Sequence, residues 1–151
     1  MSTTDTGAAP VRSQTATEVW FTMNSLVRDQ AKQSRTRISE VIDIPFSRFR
    51  ALRRVAVRPM TQRDLAERMG VDASAMSGIV DDLVARGLVT READADDGRR
   101  KRVTITDDGR RVVDEVTENP ATAPDMFAAL DESQLRQLAG LLELLREAEE
   151  S

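Results

Sequence analysis

Apolar residues recur at three- and four-residue spacing over several stretches, each bounded by residues that favour helix ends. From about Thr15 to Arg35, the spacing of Trp20, Met23 and Val27, widened by Phe21, predicts a helix. Ile38, Val41 and Ile42 follow without a clear frame and read as a turn or a short helix. Pro45 suits the first turn of a helix to about Val57, because the N–H it lacks would be unpaired there, and Pro59 ends that helix. Thr61 reads as an N-cap with Asp64 three residues on, Leu65, Ala66 and Met69 as the buried side, and Gly70 as the C-cap. Val71 plugs the turn. Asp72 or Ala73 then opens a second short helix, Asp72 being the better cap, and Gly87 stops it. Met76, Ile79, Val80, Leu83 and Val84 form its apolar face. Two short helices joined by a turn of a few residues make a helix-turn-helix pattern.

The period changes after Gly87. Leu88, Val89 and Thr90 begin a strand, Ala93–Gly98 is an Asp-rich turn, and Arg100–Thr106 alternates as the returning strand. Lys101, Val103 and Ile105 fall on one face, Arg102 and Thr104 on the other, which predicts a two-stranded hairpin, or wing. Thr106 caps a helix to about Val116, and Asn119–Pro124 interrupts it. Asp131 and Gln134 have capping-box spacing before a last helix with a broad face of Leu135, Leu138, Leu141, Leu142 and Leu145. The expected fold is mainly α with a small β wing. Residues 1–13 form a disordered arm, 36–109 a winged helix-turn-helix lobe, and 14–35 and 110–151 flanking dimerisation helices. The wide apolar stripes of the terminal helices fit a homodimer interface; closing the monomer's own core is their other use.

Composition narrows the chemistry. The 151 residues contain no Cys and no His, which removes disulfides, thiol redox chemistry, imidazole ligation and His-based acid–base catalysis. Asp81 and Asp82 are adjacent on a helix and do not face each other, and neither a Ser-centred nucleophile elbow nor a phosphate loop is present. The reading is therefore not an enzyme, with no cofactor and no metal. Thr3–Ser13 is polar, without the apolar core of a signal peptide, and no run reaches the roughly 20 apolar residues of a membrane span. A cytoplasmic protein with no membrane partner is expected.

The net charge of -4 would argue against a nucleic-acid partner if it were spread evenly. It is not: Arg28–Arg63 holds ten basic and three acidic residues, Asp114–Ser151 two basic and ten acidic, and Arg99, Arg100, Lys101 and Arg102 run unbroken between them. A basic side can steer onto double-stranded DNA whatever the net charge. The helix opening at Asp72 suits the major groove, since Ala73, Ser74, Ala75, Ser77 and Gly78 are small enough for close approach. The Ser74 and Ser77 hydroxyls can donate to base acceptors or phosphates, and the Ala75 methyl can meet a thymine methyl. Asp97 at the wing tip would hold Arg99 by a bidentate bond and aim it into the minor groove. Arg100, Lys101 and Arg102 would contact phosphates or neighbouring acids, and Arg63 is another phosphate candidate.

Leu65-Ala-Glu-Arg-Met-Gly-Val71, then Ser74-Ala-Met-Ser-Gly-Ile-Val-Asp-Asp-Leu-Val-Ala-Arg-Gly-Leu-Val89, resembles the multiple-antibiotic-resistance regulators, the MarR family. The wing from Arg91 through Asp94 and Asp97 to Arg99, and Val103-Thr-Ile-Thr106-Asp-Asp-Gly109 after it, fit the same family. The resemblance implies a ligand-responsive repressor that binds a palindromic operator as a dimer, with Ser74, Ala75 and Ser77 on bases and Arg99 in the minor groove. It also implies a small aromatic or anionic effector, for which Trp20, Met23, Arg50, Arg53 and Arg54 are candidates. Ala75, Gly78, Asp82 and Ala95 depart from the family's common residues. Gly78 and Asp82 lower the positive charge of the recognition helix, which together with the acidic C-terminal part motivates the alternative of an interaction or anti-repressor module that keeps the fold and binds DNA weakly or not at all.

Overall fold

A computed structural model describes residues 15–151, so the arm expected over residues 1–13 lies outside the described residues. The chain divides into two units, one up to Lys32 and one over Gln33–Ser151. Among the described residues, six α-helices and three short strands follow in the order α1 (Ala16–Val41), α2 (Phe46–Val57), β1 (Met60–Thr61), α3 (Gln62–Met69), α4 (Ala73–Ala85), β2 (Val89–Ala93), β3 (Lys101–Ile105), α5 (Asp107–Thr117) and α6 (Glu132–Glu150). Two short 3-10 turns, Pro120–Thr122 and Asp125–Ala129, join α5 to α6. The mainly helical fold with a small β wing is as the sequence predicts. Among the described residues, no helix is long and apolar enough to cross a membrane.

The expected helix ends are realised by the expected groups. Thr61 Oγ1 accepts from the Asp64 N–H at 3.1 Å, and Asp72 Oδ1 from the Ala75 N–H at 2.7 Å, so Asp72 is the cap of α4. Gly70 and Gly87 take φ of 66° and 71°, a left-handed conformation that glycine adopts without a Cβ clash. At each, paired bonds close the helix: Val71 N–H to Ala66 O at 3.1 Å and Gly70 N–H to Glu67 O at 3.2 Å after α3, and Leu88 N–H to Leu83 O at 3.0 Å and Gly87 N–H to Val84 O at 2.9 Å after α4. The side chains of Asp131 and Gln134 each bond the other's backbone N–H at the start of α6.

Three expectations need correction. First, α1 does not stop near Arg35 but runs 26 residues to Val41. No helix breaker intervenes before Pro45, and burial of Ile38 and Ile42 against the lobe's core continues the helix. Arg37 holds this stretch to the turn after α5, donating to Ala123 O and, at 2.6 Å, to Asp125. Second, the wing belongs to a three-stranded antiparallel sheet of order β1-β3-β2, in which Met60 faces Val103 and Thr61 faces Arg102. Third, Val84 is 38% exposed rather than part of the buried face of α4.

The core of the Gln33–Ser151 unit sits where α2, α3, α4 and β3 meet: Leu52, Val55, Leu65, Met76, Val80, Leu83 and Val103 are fully buried. Burying a Leu, Val or Met side chain contributes about 1.5–3 kcal/mol, so this cluster fixes the angle at which α4 is presented. α6 is different. It buries none of its residues, and Leu135, Leu141, Leu142, Leu144 and Leu145 are all exposed in the single chain. In the unit up to Lys32, Val19, Trp20, Phe21, Leu26 and Val27 are likewise exposed.

Candidate nucleic-acid interface

The first two turns of α4 offer a row of small side chains. Ala73, Ser74, Ala75 and Gly78 are exposed and Ser77 is half-buried. Asp72 occupies the Ala75 N–H, while the first N–H groups of a helix have no partner within it and favour an anion. Met76, Ile79, Val80 and Leu83 hold the opposite side of α4 in the core.

Two acidic residues turn α4 into a braced element. Asp81 accepts from Arg91 of β2 at 2.5 Å, which ties the helix to the root of the wing. Asp82 accepts from Arg48 of α2 at 3.0 Å and from Arg86 at 3.2 Å, and Arg86 also donates to Asp43 O at 3.3 Å. The Arg48 hydrogen bond, and after it that of Arg86, holds the Asp82 carboxyl below the usual carboxylate range. Asp82 is thus a brace between α2 and α4 whose charge two guanidiniums balance.

Asp97 does not hold the Arg99 side chain, as the sequence suggested. Its Oδ1 accepts from the Arg99 backbone N–H at 3.1 Å and its Oδ2 lies 3.6 Å from Arg100 Nε. A short acidic side chain at a turn reaches the N–H two residues on more readily than it reaches that residue's side-chain end. Arg102 pairs with Asp94 at 3.5 Å, and Arg63 with Glu67 at 3.6 Å. The Arg99 guanidinium makes no ion pair among the described residues, and neither does the Asp96 carboxylate in the same turn. A groove of about 510 Å³ brings Arg63, Ala73, Arg99 and Arg100 together; Ser74, Ala75, Ser77, Gly78, Asp97 and Arg102 lie outside its lining.

Gln62 is a groove residue that the sequence did not single out, and its Oε1 is buried without a hydrogen-bond partner among the described residues. The braces Arg48, Asp81 and Arg91 were missed as well. Asp82–Arg86 has a readable i, i+4 spacing, whereas Arg48 and Asp82 are 34 residues apart.

The Thr-x-x-Gly after the wing is a joint. Thr106 Oγ1 accepts from the Gly109 N–H at 3.1 Å and donates to Gly87 O at 2.7 Å, while the Thr106 N–H bonds Leu88 O at 3.0 Å. One threonine thus fastens the end of the α4 turn to the start of α5.

Of the effector candidates, Arg50, Arg53 and Arg54 line a cavity of about 520 Å³ formed by residues between Ser34 and Glu150. Trp20 and Met23 are not in its lining; Trp20 is 59% exposed on the early part of α1.

Comparison with known proteins points one way. A model described as the MarR family matches residues 42–100. The chain is 30% identical over 131 residues to an uncharacterised HTH-type transcriptional regulator of Bacillus subtilis, YpoP, covering 85% of this chain and 92% of that protein. Among solved structures it is similar to the transcriptional regulator BldR from Sulfolobus solfataricus, with 29% identity and a TM-score of 0.60 over 87% of this chain and 94% of that one. Two others share the fold at lower identity. A mutant MepR from a multidrug-resistant S. aureus isolate has a TM-score of 0.72 at 20% identity, covering 85% of this chain and 96% of that one. A mutant MarR from E. coli, complexed with operator DNA, has 0.59 at 19%, covering 87% and 99%.

Proposed function

The chain belongs to the MarR family of transcriptional regulators, and from that premise we propose that it is a homodimeric, ligand-responsive repressor of its own target promoters. The observation that carries this reading is the meeting of the exposed start of α4 and the cationic wing around one groove. α4 enters the major groove, where Ser74 and Ser77 donate to base edges or phosphates and the Ala75 methyl packs on thymine. Gly78 and Ala73 let the helix approach closely. Arg99 enters the minor groove from the wing tip, and Arg63, Arg100 and Arg102 contact phosphates. Asp97 keeps the turn in shape through the Arg99 N–H and the Arg100 side chain.

The exposed leucines of α6 and the apolar residues exposed on early α1 support a dimer, because a stripe of this kind left in water favours association. Two copies place two α4 helices in successive major grooves about 34 Å apart, so the operator is an imperfect palindrome. Bound over a promoter, the dimer blocks polymerase. The arginine-lined cavity supports an anionic or aromatic effector that binds the DNA-competent and DNA-incompetent spacings with different affinity. The alternative of a module that has lost DNA affinity loses one of its three motives, since the Asp82 charge is balanced by Arg48 and Arg86.

Selection of bound sequences from random double-stranded DNA tests the proposal. The expected result is an enriched palindrome with half-sites one turn apart, whose affinity falls steeply as salt rises. No enrichment refutes DNA readout, and a single unrepeated half-site refutes the dimeric mode.

A further inference from the structure

The cavity bordered by α2, α3 and the last turn of α6 has an unusual electrostatic make-up. Ile38, Phe46, Phe49 and Met60 give it an apolar side. Six arginines line it, Arg50, Arg53, Arg54, Arg58, Arg68 and Arg146, and two carboxylates, Glu149 and Glu150. Both carboxylates come from the end of α6. Glu150 lies 3.1 Å from Arg58 Nε, and Glu149 lies 3.2 Å from Arg68 Nη1. Among the described residues, Arg50, Arg53 and Arg54 form no ion pair. Burial, followed by the nearby charge of Arg50, pulls the Arg54 guanidinium below its ordinary value, while Glu149 acts in the opposite sense. The cationic charge is therefore only partly balanced by the chain itself.

We propose that Glu149 and Glu150 serve as a built-in anion for this cavity, and that an organic anion with an apolar body competes with them for its arginines. The two ion pairs are partly exposed, and such pairs are individually weak, so the end of α6 is readily displaced. A carboxylate ligand can pair with guanidinium partners in bidentate geometry and also covers the half-buried Phe46 and the exposed Val57. The regulatory consequence rests on the effector and dimer readings above. α6 carries the leucine face that joins the subunits, so displacing its last turn from Arg58 and Arg68 uncouples the dimer arm from the DNA-binding lobe. The ligand then favours the uncoupled arrangement because only there are Arg58 and Arg68 open to it.

The full chain and its E149Q/E150Q double variant, each titrated calorimetrically with 2-naphthoate, test this. The variant is expected to bind about two- to tenfold more tightly, because two exposed ion pairs no longer compete. Hydrogen exchange of the last turn of α6 should quicken when the unsubstituted chain is saturated with 2-naphthoate, and should be fast in the variant with or without it. Equal affinity of the two proteins overturns the competition and leaves the effector site standing. Absence of binding to either protein overturns both.

Discussion

Replacing Gly109 by alanine should loosen the joint between the recognition helix, the wing and α5. A Cβ built on Gly109 would overlap the Leu88 carbonyl oxygen and come within 2.8 Å of Ile105 Cγ1. The obstacle is backbone, and that same carbonyl accepts the Thr106 N–H at 3.0 Å, so it cannot retreat without stretching a bond. Overpacking of this kind costs about 1–3 kcal/mol, and weakening the hydrogen bond about 1 kcal/mol. Alanine returns up to about 1 kcal/mol of helix propensity. The balance is a net loss of about 1–3 kcal/mol. For a chain of this length each kcal/mol moves Tm by roughly 2–4 °C, so Gly109→Ala should lower Tm by roughly 2–12 °C. Thermal melting followed by circular dichroism, at matched protein concentration, reads the shift; the concentration matters because a dimer's Tm depends on it. Gly78→Ala is the internal control. Nothing lies within 4 Å of a Cβ there, so the propensity gain of about 1 kcal/mol should appear unopposed as a higher Tm. A Gly109→Ala protein that melts at or above the unsubstituted chain would refute the reasoning.

Arg99→Ala should weaken binding to the selected operator about tenfold, an effect concentrated at the minor-groove flank, and should reduce the salt slope by about one; fluorescence anisotropy with flank-substituted duplexes checks both. Asp82 is held below its ordinary range when folded, so its stabilising contribution is present above the unfolded value of about 4 and is lost as the pH falls through the folded one. Asp82→Asn should therefore lower stability near neutrality and flatten the acid limb of a urea-unfolding series run from pH 6 downwards. Leu141→Glu with Leu145→Glu places charge on the exposed stripe of α6, and sedimentation should show the monomer where the unsubstituted chain shows a dimer.

Much of this molecule is legible along the chain because its decisive contacts are short in sequence. Thr61 with Asp64, Asp72 with Ala75, Thr106 with Gly109 and Asp131 with Gln134 are each three residues apart, and each closes a helix start by one side-chain acceptor. Gly70 and Gly87 end α3 and α4 by taking a backbone conformation that other residues avoid, so their positions announce the turns. The alternation of β3 and the small residues at the start of α4 are equally local. What tertiary structure alone decided lies at long range. Met60 and Thr61 are too short a run to carry a strand period and become a strand only because β3 pairs with them. Arg48 finds Asp82 across 34 residues, and Arg68 finds Glu149 across 81. Asp97, with two basic neighbours in reach, binds one through its backbone and the other through its side chain. Caps and turns are specified by bond geometry within a few residues. An ion pair between distant segments forms only where packing has already brought its two charges together, and neither sequence neighbourhood records that meeting.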